Sequence, residues 1–170
     1  ATGAALMIRS NDYWQAGGLD AQFFAHMEEI DLCWQLRIMG REVVCIPESR
    51  AYHLGGATLN QGNPHKTYLN FRNNLLMLYK NLPEHDLKRV MRIRKILDGM
   101  AALRFLLTGD VANMKAVGRA YKDFKAMKVE YSVKRKDVQN RRTTQTSECS
   151  SCNLLMEYYM KRHHTYSQLP

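Results

Sequence analysis

Residues 17–56 read GGLDAQFFAHMEEIDLCWQLRIMGREVVCIPESRAYHLGG, and this stretch decides how the chain is expected to fold. Gly17-Gly18 signals a turn, since glycine enters left-handed backbone without a steric penalty. Glu28, Glu29 and Asp31 then open a helix, EEIDLCWQLRIMG. It carries Leu32, Leu36 and Met39 on one face, Cys33 beside them, and Gly40 where a helix end favours glycine. The acids in its first turn and Arg37 near its end suit the helix dipole. EVVCIP (42–47) has the make-up of a short buried strand stopped by Pro47, and RAYHLGG (50–56) of a second strand.

Working outward, GAALMIR (3–9) is an apolar run of strand length, and Asn11-Asp12 offers an N-cap to a short helix ending at Gly17-Gly18. The order strand, helix, helix, strand, strand indicates the edge of a mixed α/β sheet. Because GAALMIR begins without a leading loop, the sequence is expected to be part of a longer protein. From Pro64 onward the pattern is helical. Tyr68, Phe71, Leu75, Leu78 and Tyr79 recur at helical spacing before Pro83; Val90, Ile93, Leu97, Met100 and Ala101 mark one side of a second helix; a third runs over 111–128. The tract VKRKDVQNRRTTQTSECSSCN (133–153) is polar enough for a linker, and LLMEYYMKRHH (154–164) reads as a last helix. The expected organisation is an α/β segment over 1–62, a basic helical extension over 63–140, a polar linker over 141–152 and a closing helix within 153–170.

The composition, 45% hydrophobic and 24% charged, is that of a globular chain rather than a disordered one. The net charge of +9 is unevenly spread: residues 1–62 hold four Arg and no Lys against seven Asp/Glu, and residues 63–170 hold 21 basic against 9 acidic side chains. A basic half of this kind meets nucleic acid, anionic lipid or a phosphorylated substrate, or is only a solvated Lys-rich surface. Lys88, Arg89, Arg92, Arg94 and Lys95, next to the apolar run 100–107, resemble an interfacial amphipathic helix, with Arg72 a further candidate membrane or phosphate contact. The same apolar face could instead pack on the domain or drive homo-oligomerisation. Nucleic acid is disfavoured, because no recognised module is present and no aromatics interleave the basic run. Cys33 and Cys45 read as buried apolar residues, and Cys149 and Cys152 form one CxxC whose metal site with His163 and His164 has no second pair to support it. The cysteine pattern suggests a reducing compartment. The opening residues lack a signal peptide's basic start and apolar run, and no stretch of about 18 apolar residues occurs.

Two constellations carry chemistry. Three carboxylates at a helix N-terminus, Glu28, Glu29 and Asp31, can act as base, metal ligand or cap. His53, at a strand end before glycines, can ligate a divalent metal or be structural. Read in order, GGLDAQFF, MEEIDLCWQLRIMG, VVCIP, YHLGG and YLNFRNN resemble the second half of bacterial family 2 glycosyltransferases, over about residues 3–80. That family has a GGFD turn, an acidic helix of the form EDxDLxxRLxxxG, a short strand, a histidine before a glycine-containing loop and an RN-containing helix.

The resemblance implies a partial GT-A mixed sheet lacking its N-terminal half, and transfer of a sugar with inversion from a nucleotide-sugar donor to a glycan or lipid-linked acceptor. It implies that Glu29 holds the catalytic-base position, usually Asp, with Glu28 preceding it and Asp31 following. Trp14, Gly17, Gly18 and Asp20 then belong to the acceptor side, and His53 to a Mn²⁺ or Mg²⁺ ion on the diphosphate. It also implies surface-polysaccharide synthesis in the cytoplasm, at the inner face of the cell membrane. No DxD motif and no glycine-rich loop after a strand occurs, so the chain alone is expected to be inactive. The alternative reading is a non-catalytic helical module that binds a membrane or a partner.

Overall fold

A computed structural model of the chain describes residues 3–52, 62–143, 152, 154 and 156–169. Its helices are α1 (Ser10–Gln15), α2 (Glu28–Ile38), α3 (Pro64–Asn81), α4 (Glu84–Leu107) and α5 (Val111–Asn140), with 3-10 turns at Gly3–Ala5, Ala21–Phe23 and Tyr166–Gln168 and one π-helical turn at Met156–Met160. Local chemistry sets the helix limits. Asn63 caps α3 by accepting from the His65 N–H at 2.8 Å, with Pro64 in the first turn. Pro83 cannot continue that helix and begins α4 instead. Asp110 caps α5 by accepting from the Asn113 N–H at 3.1 Å. Gly40, at φ 75°, ends α2 in backbone that a Cβ would strain.

Helices α3 and α5 run parallel, with α4 antiparallel to both. The Asn113 amide donates to the Gly62 carbonyl near the start of the pair, and Gln139 donates to the carbonyls of Lys80, Asn81 and Leu82 near its end. On α4, Glu84 pairs with Arg135 at 2.8 Å, and Asp98 accepts from the Tyr121 hydroxyl at 2.8 Å. The core between α3 and α5 holds Leu76, Met77 and Tyr131, plugged from the α1–α2 connection by Phe23. Farther along, Tyr68 and Leu69 pack on Ala116 and Ala120. A third cluster joins Leu32 and Leu36 of α2 to Ala16.

The expected mixed α/β sheet is overturned: the described residues contain no strand. The period-two alternation of GAALMIR is real, since Leu6 and Ile8 pack against α2 while Met7 is 98% exposed. Alternation gives one apolar face, but a strand also needs a neighbour for its N–H and C=O groups, and no strand pairing is formed among the described residues. Residues 41–46 are neither helix nor strand, with Val43 packed inward and Val44, Cys45 and Ile46 exposed, and residues 53–56 of the second expected strand lie outside the described residues. Cys45 is therefore not the buried residue expected, whereas Cys33 is. Helix α5 also runs on to Asn140, through much of the tract read as a linker, because Tyr131, Arg135 and Val138 are buried against its neighbours. Of the last expected helix, 154–164, Leu154 is helical, Met156–Met160 form a π-helical turn and residues 161–164 are not helical.

The α1–α2 connection holds three of the four non-glycine residues at positive φ among the described residues. Phe24 (φ 63°), His26 (φ 71°) and Met27 (φ 76°) occupy the left-handed region without being glycine, a conformation worth about 1–3 kcal/mol each. It is held open by two residues of α3. The Asn73 amide nitrogen lies 2.8–2.9 Å from the carbonyls of Phe23, Ala25 and His26. Arg72 donates to the Gln22 carbonyl at 2.8 Å and to the Asn73 side-chain oxygen. Replacing Asn73 by Ala strips donors from buried carbonyls, so the variant is expected to lose about 1–3 kcal/mol in urea unfolding and to exchange the amides of 24–29 faster. Unchanged exchange there would contradict the clamp.

Candidate functional site at the start of α2

The three carboxylates that open α2 have separate surroundings. Asp31 is wholly buried, with Oδ2 accepting from Lys80 Nζ at 2.7 Å and from Gln35 at 2.8 Å, and Oδ1 accepting from Asn81 at 2.6 Å. Lys80 is buried too and reaches Asp20 Oδ2 at 3.0 Å. Asp20 in turn accepts from Lys134 at 2.8 Å and from the Tyr131 hydroxyl at 3.1 Å. Two carboxylates and two ammonium groups thus balance in one network. Burial would raise the Asp20 carboxyl, but Lys80 and Lys134 outweigh it and hold the group below its ordinary value. For Asp31 burial prevails over Lys80 and Asn81, leaving its carboxyl above its ordinary value. Burial and then the Asp20 charge push the Tyr131 phenol up, so it stays a donor.

Glu28 and Glu29 lie outside this network, half-buried. Oε2 of Glu28, Oε2 of Glu29 and Nε2 of His26 are each shielded from water without a hydrogen-bond partner among the described residues. Three such atoms fall within four residues, in the same stretch as two left-handed backbone positions, His26 and Met27. The Glu29 Cβ lies 3.8 Å from where a Cβ on Gly3 would stand, so the N-terminal turn comes within ordinary van der Waals reach of it.

The other expected site residues divide. Gly17, Gly18 and Asp20 do come together, lining a cavity of about 380 Å³ with Gln35, Lys134 and Arg141. Glu28 and Glu29 do not line it. Gly17 (φ 89°) and Gly18 (φ 67°) turn the chain there, and a Cβ on Gly18 would stand 3.1 Å from the Tyr13 ring. Trp14 is exposed, edge-on to Tyr13 at 5.0 Å, and Asp20 is engaged in the charge network. Arg72 is committed to backbone carbonyls and to Asn73, so it is not a free phosphate contact. Lys88, Arg89, Arg92 and Lys95 sit on the exposed side of α4, away from the site. His53 and Cys149 lie outside the described residues, and among those described no group of three or more His, Cys, Asp or Glu is arranged to hold a metal ion.

Asn73, Lys80 and His26 were missed by the sequence reading. A signal existed: Asn73 and Lys80 are seven residues apart on the apolar stripe of α3, with Leu76 and Met77 between them. A polar residue on such a stripe must find a buried partner.

The chain matches no family model, no curated protein and no solved structure at a significant level. With no strand among the described residues and no matching family, the resemblance to the C-terminal part of a family 2, GT-A glycosyltransferase is overturned. The shared strings are short, and their order implied a sheet that the described residues do not form.

Lys80→Met leaves Asp31 as an uncompensated buried charge and is expected to lower stability by about 3–5 kcal/mol. Without the ammonium the Asp31 carboxyl moves further above its ordinary 3.8. A raised folded value contributes stability that is present at low pH and is lost as pH rises through it, while the lowered Asp20 value matters only in more acid solution. The gap between variant and wild type in urea unfolding should therefore be smaller near pH 5 than near pH 7. An equal or larger gap at the lower pH would contradict this assignment.

Proposed function

We propose that this chain supplies the acceptor-activating carboxylate of a sugar-transfer enzyme, as part of a longer polypeptide that provides the nucleotide-sugar site. The observation that supports it is the pair of shielded, unpartnered Oε2 atoms of Glu28 and Glu29 at the head of α2. The proposal rests on that chemistry and not on a shared fold or family. Asp31, its oxygens all taken, is left with a structural part; Glu29, with Glu28 as the competing candidate, has an Oε2 with no partner among the described residues and is assigned the base. The clamped loop before the helix gives the rigidity that a positioned base needs.

In the reaction the base takes the proton from an acceptor hydroxyl. The acceptor oxygen forms a bond to the anomeric carbon as the bond from that carbon to the donor diphosphate breaks on the opposite face. The nucleoside diphosphate leaves with the electron pair, and the sugar is transferred with inversion. The groove beside Gly17, Gly18 and Asp20, which Glu28 and Glu29 do not line, is the candidate contact for parts of the acceptor away from the reacting hydroxyl. A divalent cation, Mn²⁺ or Mg²⁺, belongs to this reading as counter-charge to the diphosphate, with His53 as candidate ligand; activating the acceptor needs only the carboxylate. A glycan or lipid-linked acceptor fits such a reaction, with the enzyme at the cytoplasmic face of the cell membrane.

In the full-length gene product, Glu29→Gln is expected to cut acceptor-dependent sugar transfer, followed by mass spectrometry, about 100-fold or more while donor binding persists. Glu28→Gln should have the smaller effect. Unchanged turnover in Glu29→Gln, with folding intact by circular dichroism, would overturn the assignment of the base.

A further inference from the structure

Helix α4 is apolar on two sides, and only one of them is used. Leu87, Val90, Met91, Leu97 and Ala101 lie on the packed side, where Asp98 is buried against Tyr121 and Arg94 lies over the Phe71 ring at 5.5 Å. These contacts fix the rotation of the helix. Ile93 and Met100, expected from the sequence to share that packed side, instead stand on the outer one.

There Ile93, Ile96, Met100, Leu103 and Leu107 follow one another at alternating three- and four-residue steps, each between 49% and 78% exposed. The stripe runs about 21 Å along the helix. Its borders carry only cations: Lys88, Arg92, Lys95 and Arg104 are exposed and enter no ion pair among the described residues. The acids of α4 are occupied elsewhere, Glu84 by Arg135, Asp86 by Arg89 and Asp98 by Arg94. No described helix is long and apolar enough to cross a membrane, so a lipid-facing role for α4 is to lie along the interface.

We infer that this face docks on the surface of an anionic bilayer, the stripe entering the acyl boundary while Lys88, Arg92, Lys95 and Arg104 meet lipid phosphates. Anionic lipid answers both halves of the face. A second copy of the chain would answer only the apolar half, and would bring one cation-bordered surface against another. The surface is argued from α4 alone and stands whether or not Glu29 acts as a base.

The test is co-sedimentation of the intact chain with vesicles of phosphatidylcholine alone and of phosphatidylcholine mixed with phosphatidylglycerol. Binding is expected to be about 10-fold or more stronger on the mixed vesicles and to weaken with added salt. The triple variant Lys88→Gln, Arg92→Gln, Lys95→Gln should lose the preference for phosphatidylglycerol. Ile96→Ser with Leu103→Ser, both at exposed positions and so expected to keep the helical circular dichroism, should lose binding to either vesicle. Binding that ignores lipid charge, or full binding by the triple variant, would overturn the inference. So would a wild-type dimer in sedimentation equilibrium that Ile96→Ser with Leu103→Ser dissolves, since the stripe would then be a self-association seam.

Discussion

The Lys80 ammonium lies 2.7 Å from Asp31 and 3.0 Å from Asp20, all but out of reach of water. Few side chains tie together so much of this molecule. Lys80 belongs to α3, Asp31 to α2 and Asp20 to the turn between them, while Lys134 and Tyr131 bring α5 to the same point. Helix α2 is short and makes few other contacts with α3, so its position depends heavily on this charge cluster. Such a cluster does not add much stability over a well-packed apolar one. It does require every member, because removing one leaves another charged and dry.

With α2 so fixed, the chain entering it has little room. Phe23 is buried between α3 and α5, and from there to Glu28 the backbone passes through three left-handed positions held by Asn73 and Arg72. Glu28 and Glu29 therefore emerge from a rigid, strained connection rather than a loose one. The neighbouring acids illustrate how environment assigns roles to like residues. Asp31 has a partner for each oxygen and serves the fold, whereas Oε2 of Glu28 and Oε2 of Glu29 have no hydrogen-bond partner among the described residues.

The helices were largely legible because their signals are local. Gly40, Asn63-Pro64, Pro83 and Asp110 mark boundaries by backbone and capping chemistry that needs no tertiary context. The strands were misread because a strand is a relation between two segments. GAALMIR has the alternation of a strand, and it uses that alternation to cover α2, but a single sequence window says nothing of whether a second segment will pair with it. The two faces of α4 were mixed for a similar reason: with apolar residues all round, the pattern does not say which ones pack until the Asp98–Tyr121 contact sets the rotation. At the candidate site the acids at the head of α2 were visible, but not their division of labour, which is set by a lysine nearly fifty residues away.

The central claim is that Lys80 and Asp31 depend on each other as a buried charge pair, and a double-mutant cycle reads it directly. Lys80→Met, Asp31→Leu and the two together are compared by urea unfolding at neutral pH. Because Lys80→Met alone strands a buried carboxylate, the double variant should be more stable than that single variant, with a coupling of about 2 kcal/mol or more. Losses that simply add would contradict the account.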